Sequence, residues 1–236
     1  MKHDVPAPPR IGEREGLAYA LFLPDEAPTA GVVVIHGAGS SKENHFDFGR
    51  HARAEGMAAL CFDQRGHGRS RGEWGPTAFG DVLVMCDLLR EHVPTVALRG
   101  SSMGAFCAIH AAAIDGGVAA VVAICAAPED FLLRSLRSGD ADFRVDRSTT
   151  EPWLETLSLR DAAARLSSDT ALLLLHAQGD ERVPYAVSEE LAAVAGEPKR
   201  LLVLPGGHHR SLQHDLEMQS TSVRFIARAA DGRRSA

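Results

Sequence analysis

Short apolar runs alternate with longer helical patterns along most of this 236-residue chain, and this alternation is what most constrains its fold. Runs such as VVVIH (residues 32–36) and ALLLLH (171–176) are apolar without a polar residue at every second position. A strand has this composition when helices cover both of its faces, as in a parallel sheet. The pattern therefore predicts an α/β fold with a mostly parallel, doubly wound sheet and helices on both faces.

Seven strands and five helices follow from these patterns. The predicted strands span 17–23, 32–36, 58–63, 95–99, 118–125, 171–176 and 200–204, and the predicted helices span 44–55, 77–92, 103–114, 187–195 and 216–229. The first strand follows a proline-rich segment with no helix before it, so we expect it to pair antiparallel at one edge of the sheet. No internal repeat or long linker divides the chain, which predicts one domain over residues 1–236.

One connection is much longer than the others. Residues 127–169 are irregular and polar, and about 40 residues far exceeds the usual 2–6 for a connection in an α/β unit. We predict a small cap at about 127–169. The alternative is an ordinary crossover helix in an overlong loop. The apolar residues of this segment either face a substrate or pack on the body of the domain, and they include Phe131, Leu132, Phe143 and Trp153.

Composition excludes several classes of protein. The chain has 25 basic and 31 acidic residues and a net charge of −6, so no basic surface predicts binding to nucleic acid or to anionic lipid. No apolar stretch approaches the roughly 20 residues that span a bilayer. The polar start MKHDVPAPPR is not typical of a secretory signal, so we expect a cytoplasmic protein. The cysteines form no CxxC pair and are interpreted as buried thiols; they are Cys61, Cys86, Cys107 and Cys125.

The most specific motif is the G-x-S-x-G of residues 100–104, between the strand 95–99 and the helix 103–114. A tight strand-to-helix turn raises the central side chain above the sheet, and small residues two positions before and after it let the backbones pass closely. The start of the following helix also points free N–H groups at any negative charge that develops there. Ser102 is therefore the predicted nucleophile, and Ser101 is interpreted as a packed neighbour.

A serine nucleophile needs a base to accept its proton and an acid to orient that base. Asp180 follows the strand 171–176, and His209 follows the strand 200–204, so both are predicted at the carboxyl edge of the sheet. The order Ser102, Asp180, His209 is that of one hydrolase architecture.

Alternatives remain for each partner of the serine. Glu129 and Asp130 could replace the acid, and His208 could replace the base. A metal cluster of His208, His209 and His214 is disfavoured, because no carboxylate or cysteine shares a recognised ligand spacing with them. We expect neither a metal nor another cofactor.

Two further loops border the predicted site. The glycine-rich bend after His36 could aim the backbone N–H of Ala38, or of Gly39, at the space above Ser102. With the N–H of Met103 it would form a two-donor oxyanion hole. The histidine itself is interpreted as a hydrogen-bonding residue beneath the loop. The segment 62–70 (FDQRGHGRS) is interpreted as a structural turn in which the aspartate is a hydrogen-bonded anchor.

Taken together, the motifs HGAGSS, DQRGHGRS, GSSMG, GDERVP and GGHH resemble those of the α/β-hydrolase superfamily over roughly residues 17–230. The resemblance is to small bacterial carboxylesterases and to the serine aminopeptidase-like, or cinnamoyl-esterase-like, branch. It implies a triad of Ser102, Asp180 and His209, oxyanion amides from Ala38 and Met103, and a lid in the long connection. The doubled histidine departs from the pattern, because many relatives have an acidic residue before the catalytic histidine.

These observations predict a serine hydrolase that cleaves short-chain or aromatic carboxylic esters through an acyl-enzyme. Acyl transfer, thioester cleavage, peptide cleavage and carbon–carbon bond hydrolysis use the same triad and stay open. A ligand receptor without catalysis belongs to another class. The expected partner is a small ester, with monomer and homodimer both open. Trp74, Phe143 and Trp153 are predicted pocket residues, each of which could equally be plain packing.

Overall fold

The structure, a computed structural model, describes residues 7–234, so part of the proline-rich start (residues 1–6) lies outside the described residues. It contains one eight-stranded sheet with the order β1-β2-β4-β3-β5-β6-β7-β8. The strands are β1 (Arg10–Arg14), β2 (Leu17–Phe22), β3 (Gly31–Ile35), β4 (Ala58–Phe62), β5 (Val96–Ser101), β6 (Ala120–Ile124), β7 (Ala171–Ala177) and β8 (Lys199–Leu204). Strands β3 to β8 are parallel to their neighbours within this group, which confirms the predicted architecture.

Helices connect these strands. They are α1 (Phe46–Ala54), α2 (Ala78–Arg90), α3 (Met103–Ile114), α4 (Glu129–Ser138), α5 (Arg147–Glu155), α6 (Leu159–Ala164), α7 (Ala186–Val194), α8 (Ser211–His214) and α9 (Leu216–Arg234), with a short 3-10 helix at Lys42–His45. No helix within residues 7–234 is both long and apolar enough to cross a membrane.

The core lies on both faces of the sheet, which explains why the central strands are mostly apolar. In β3, Val33 and Ile35 pack into the cluster that contains α2 and α3, whereas Val32 and Val34 pack into the cluster beneath α1 and α9. Successive side chains of a strand point to opposite faces, so a strand covered on both sides has no position that faces solvent.

The edge of the sheet differs from the prediction. Strand β2 pairs antiparallel, as predicted, but it lies inside the sheet between β1 and β4. The edge strand is β1, which sequence analysis missed. Its residues are partly or fully exposed, so the segment has no apolar run to mark it as a strand.

The long connection between β6 and β7 contains three helices, α4, α5 and α6. Its segment between α4 and α5 is joined to the turn after β4: Gly66 and Arg144 are linked by a backbone hydrogen bond, and the N–H of Trp74 donates to the Arg144 carbonyl at 3.1 Å. This segment therefore contacts the body of the domain directly above the sheet edge where β3, β4 and β5 end.

Candidate active site

Ser102 occupies the turn between β5 and α3 with strained backbone angles, φ 53° and ψ −117°. Positive φ is uncommon for a residue with a side chain and persists only where the surroundings impose it. Here the Ser102 N–H donates to the Ile124 carbonyl at 2.8 Å. A Cβ at Gly100 would overlap the Gly104 carbonyl, and a Cβ at Gly104 would overlap the Ile35 carbonyl. The small residues of the motif are therefore required by close backbone packing.

Asp180 and His209 lie on the loops after β7 and β8 and are hydrogen-bonded to each other. His209 Nδ1 is 2.8 Å from Asp180 Oδ2, and both side chains are almost fully buried. Asp180 Oδ1 accepts hydrogen bonds from the N–H groups of Arg182 and Val183, each at 2.9 Å. Because Nδ1 faces a carboxylate, it carries the proton of the neutral imidazole and leaves Nε2 as the acceptor.

Opposing effects act on the Asp180 carboxyl. Burial raises its pKa, but hydrogen bonds from His176, His209 and two backbone amides outweigh burial and hold the pKa well below its ordinary value. The carboxyl is therefore ionised at neutral pH, as a group that orients an imidazole and stabilises its protonated form must be.

His176 is a buried residue of this site that sequence analysis did not identify. It is fully buried at the end of β7, with Nε2 at 2.9 Å from the Val183 carbonyl and 3.3 Å from Asp180 Oδ2. Both of these oxygens only accept hydrogen bonds, so Nε2 carries the proton. Nδ1 is 2.7 Å from the buried Ser188 hydroxyl of α7. The sequence did contain a signal for this residue, because a histidine interrupts an otherwise apolar strand four residues before the candidate acid.

The alternatives to the acid and the base have other partners. Glu129 accepts a hydrogen bond from the Leu159 N–H at 2.9 Å, and Asp130 pairs with Arg134 along α4. The exposed His208 ring accepts from the Arg210 N–H at 3.3 Å. Of these candidates, it is Asp180 and His209 that a hydrogen bond joins to each other.

The candidate oxyanion donors border the same space. Met103 is the first residue of α3, so its N–H has no partner within the helix. Ala38 lies in the bend after β3 and lines the pocket together with Met103. His36 lies beneath this bend, where its Nδ1 donates to the Gly37 carbonyl at 2.7 Å and its Nε2 accepts from the Gln64 N–H at 3.0 Å. Burial lowers the pKa of His36 to about 4, which suits a structural residue rather than a base.

The turn after β4 is held by a buried ion pair. Asp63 accepts from the Lys42 ammonium at 2.7 Å, from the Lys42 N–H at 2.8 Å and from the Arg69 N–H at 2.8 Å. The aspartate is thus the anchor that was expected, and Lys42 is a partner that sequence analysis missed.

A pocket of about 280 Å³ opens above Ser102. Ser102 and His209 both line it, and no hydrogen bond joins their side chains. Apolar side chains that line it, called its apolar wall below, are Trp74, Phe131, Leu132, Leu136 and Phe143. The polar lining residues include Ser40, Asn44, Arg182, Arg210, Gln213 and His214.

One predicted pocket residue lies elsewhere. Trp74 and Phe143 line the pocket, but Trp153 packs behind it, with ring centroids 5.5 Å from Trp74 and 5.1 Å from Phe79. Its prediction as a pocket residue is corrected, because α5 directs this ring toward the aromatic cluster between α2 and α3.

Within residues 7–234, one group of side chains is dense enough to hold a metal ion: Cys125, Asp180 and His209. Burial raises the pKa of the Cys125 thiol well above its ordinary value, so it is a neutral thiol and not the thiolate that binds metals. The other two members already bind each other. The donor set therefore suits a hydrogen-bonded pair better than a metal centre.

Arg99, on β5 three residues before the candidate nucleophile, is a third buried residue that sequence analysis missed, after His176 and Lys42. Its guanidinium donates to the Gln213 carbonyl at 2.9 Å and lies 4.1 Å from the centroid of the Phe48 ring. Burial lowers its pKa to about 10, so it is still a cation at neutral pH. It connects the central strand to α8, close to the loop that carries His209.

Comparisons by sequence match part of the chain to one family model and to curated relatives. The model of the family described as serine aminopeptidase, S33, matches residues 26–131. The uncharacterized protein Rv2307c of Mycobacterium tuberculosis is 29% identical over 190 residues, which is 75% of this chain and 62% of that protein. The chain thus spans less than two thirds of this relative.

Solved structures show the same fold over nearly the whole chain. Est1E from Butyrivibrio proteoclasticus aligns with a TM-score of 0.74 at 19% identity, covering 94% of this chain and 99% of that one. Acetyl xylan esterase 1 from Thermoanaerobacterium sp. JW/SL YS485 aligns with a TM-score of 0.69 at 18% identity, covering 90% and 79%. These comparisons confirm the resemblance to the α/β-hydrolase superfamily, and the chain has the α/β-hydrolase fold.

Proposed function

We propose that this α/β-hydrolase chain is a serine hydrolase that cleaves carboxylic esters through an acyl-enzyme. The observation that carries the proposal is that His209, which is hydrogen-bonded to Asp180, lines one pocket with Ser102, whose strained turn places it at the start of α3. The geometry of the site carries this assignment, because the fold alone hosts many activities.

The proposed reaction follows from these positions. Ser102 Oγ attacks the ester carbonyl while His209 Nε2 takes its proton, and Asp180 stabilises the imidazolium that forms. The N–H groups of Ala38 and Met103 donate hydrogen bonds to the oxyanion. Loss of one such donor typically lowers the rate by about 10²–10³. His209 then protonates the departing alcohol, and a water repeats the sequence to release the acid. The hydrogen bond between serine and histidine often tightens only when substrate binds, so its absence is compatible with this mechanism.

The comparisons support an ester as substrate. The structural neighbours include an acetyl xylan esterase, and one structure of Est1E is described with bound ferulic acid. A pocket of about 280 Å³ with an apolar wall suits a short or aromatic acyl group better than a long lipid chain. Acyl transfer, thioester cleavage and carbon–carbon bond hydrolysis use the same groups, and product analysis with thioesters and alcohol acceptors separates them.

Aminopeptidase activity is a second candidate, favoured by the description of the matching family. The described residues that line the pocket include two arginines and no carboxylate, which does not suit the ammonium group of a peptide N-terminus. Amino acid 4-nitroanilides, which carry this ammonium group, and neutral 4-nitrophenyl esters distinguish the two activities.

Replacing the nucleophile or the base tests the proposal. We expect Ser102→Ala and His209→Ala each to lower kcat for 4-nitrophenyl butyrate by about 10⁴–10⁶, because the members of a triad act as a unit. The matched control is His208→Ala, which removes an exposed neighbouring imidazole and should change kcat/KM by no more than a small factor.

Labelling with a fluorophosphonate probe gives an independent measurement. Wild type should be labelled on Ser102, and Ser102→Ala should not be. Full esterase activity in Ser102→Ala would refute the proposal. A well-folded wild type that is neither labelled nor active would favour a ligand receptor without catalysis.

A further inference from the structure

Two arginines border the pocket on the loops that carry the catalytic acid and base. Arg182 lies two residues after Asp180, and Arg210 follows His209; both line the pocket and both are exposed. The backbone N–H of Arg182 donates to Asp180 Oδ1, and the backbone N–H of Arg210 donates to the His208 ring. Within the described residues, neither guanidinium has a hydrogen bond or an ion pair to a carboxylate, so both are available to a ligand.

The position of Arg182 is defined by an aromatic contact. Its guanidinium carbon lies 6.0 Å from the centroid of the Phe131 ring, which belongs to the apolar wall of the pocket. Contact with an aromatic face at this distance is weakly attractive for a cation and keeps the charge near the pocket opening.

The side chains that line the pocket include two arginines, although the chain carries a net charge of −6. Among residues 7–234, no aspartate or glutamate lines it. Of the acidic groups near the pocket, Asp180 binds His209, Glu181 accepts from the His209 N–H at 3.1 Å, and Asp47 accepts from the ring of His214 at 3.0 Å. Asp142 lies beside Gly39 at the pocket border but is not a lining residue. A pocket with two such guanidiniums and no lining carboxylate in this part of the chain attracts an anion.

The mechanism indicates which part of the ester carries that anion. His209 Nε2 must protonate the departing oxygen, so the alcohol portion of the substrate lies on the side of His209. Arg182 and Arg210 lie on the two loops that carry Asp180 and His209. We propose, on the basis of the proposed esterase activity, that the pocket takes esters whose alcohol portion bears an anionic group, a carboxylate or a phosphate, which Arg182 and Arg210 bind.

The reaction stays balanced with such a substrate. The bond between Ser102 Oγ and the acyl carbon forms as the ester C–O bond breaks, and the serine proton passes through His209 to the alcohol oxygen. The anionic alcohol leaves, and one water then hydrolyses the acyl-enzyme to release the carboxylic acid and regenerate Ser102. The anionic group itself does not react.

Four esters test the inference: phenyl butyrate, which is neutral; 4-carboxyphenyl butyrate and 4-phosphatophenyl butyrate, which are charged on the alcohol side; and monophenyl glutarate, which is charged on the acyl side. Each kcat/KM is divided by the rate of hydroxide hydrolysis of the same ester, which corrects for the leaving group. We expect both alcohol-side anions to exceed phenyl butyrate by roughly tenfold at low salt, mainly through a lower KM, and the preference to shrink as salt screens the charges. The larger of the two ratios identifies the preferred anion.

Substitution assigns the preference to the two arginines. The double variant Arg182→Gln, Arg210→Gln should bring the anion-to-neutral ratio close to one, and each single variant should lower it severalfold. Arg160→Gln is the matched control, because it removes the same charge from an exposed position of α6 outside the pocket.

The outcomes separate this inference from the proposed function. If the normalised kcat/KM of wild type for phenyl butyrate equals that for the charged esters, the anion site is overturned and the esterase activity stands. A preference for monophenyl glutarate overturns the alcohol side as the location of the charge, and an equal loss in Arg160→Gln overturns the assignment to the two arginines. If wild type hydrolyses none of the four esters, the proposed esterase activity is overturned as well.

Discussion

His176 supports the candidate catalytic acid from behind. Its Nε2–H faces Asp180 and the Val183 carbonyl, and Val183 in turn donates its N–H to Asp180. The residue does not line the pocket, so it acts by positioning the carboxylate. The Ser188 hydroxyl is hydrogen-bonded to His176 Nδ1 and so connects the imidazole to α7. The orientation of His209 thus depends on a chain of hydrogen bonds that extends into the core.

Substituting His176 tests this role. We expect His176→Leu to lower kcat by about 5–100-fold with little change in KM, and to destabilise the fold by about 1–3 kcal/mol, because buried polar groups lose their partner. His176→Gln keeps an N–H donor near the former Nε2 and should recover part of kcat. Rates are measured on folded protein, quantified by circular dichroism. If both variants lost stability equally and kept the wild-type kcat, the residue would be structural only.

At the residue scale, the sequence predicts the location of a side chain best where a motif ties it to a strand end. Asp180 and His209 were placed at the ends of two strands, and the structure joins them by a hydrogen bond. His176, Lys42 and Arg99 were missed, because each is a polar residue buried by contacts with distant segments. No local pattern encodes such contacts, so a single sequence reveals at most that a polar residue interrupts an apolar run.

At the scale of elements, the connection between α4 and α5 (residues 139–146) is joined to the turn after β4 by backbone contacts. Gly66 has φ 79°, and a Cβ at this position would overlap the Arg144 carbonyl. Gly56 has nearly the same backbone angle, φ 77°, but no atom outside its own chain neighbours lies within 4 Å of the position that a Cβ would occupy. The two glycines therefore separate the effect of backbone strain from the effect of the contact.

We expect Gly66→Ala to destabilise the protein more than Gly56→Ala, because both substitutions strain the backbone by about 1 kcal/mol and only the first also displaces Arg144. The displaced segment includes Phe143, so Gly66→Ala should also raise KM for esters. Thermal unfolding and steady-state kinetics of both variants measure the two effects. Equal stability and equal KM in the two variants would show that this contact does not hold the connection between α4 and α5 in place.

Element prediction was most accurate for the buried parallel strands. The bounds of β3 to β8 agree with the predicted ones to within about two residues, because strands covered on both faces are continuous apolar runs. The exposed strand β1 gives no such run and was missed. Helices α4, α5 and α6 were predicted only as an irregular segment, since they are short, largely polar and, in α5, interrupted by Pro152.

At the scale of the whole molecule, buried histidines make stability depend on pH. His110 is 4% exposed, stacks on Phe79 at 4.6 Å between ring centroids, and has an Nε2 without a hydrogen-bond partner among the described residues. Burial lowers its pKa to about 4 from the ordinary value of 6.5. Between these two values the unfolded chain binds a proton that the native protein does not. The free energy of unfolding therefore falls as the pH drops from about 6.5 to about 4, and burial of His36 adds to the same trend.

Replacing His110 with phenylalanine should remove its share of this acid sensitivity. The ring keeps its stacking on Phe79 but cannot bind a proton, so the stability of His110→Phe relative to wild type should rise by about 2 kcal/mol between pH 8 and pH 5. Urea unfolding at the two pH values measures this difference. His92→Phe, at a more open position, is the control and should show a smaller change. A constant difference between His110→Phe and wild type across this range would mean that the imidazole takes up its proton over the same pH range in the native protein as in the unfolded chain. The acid sensitivity of the fold would then arise at other groups, of which the buried His36 is one.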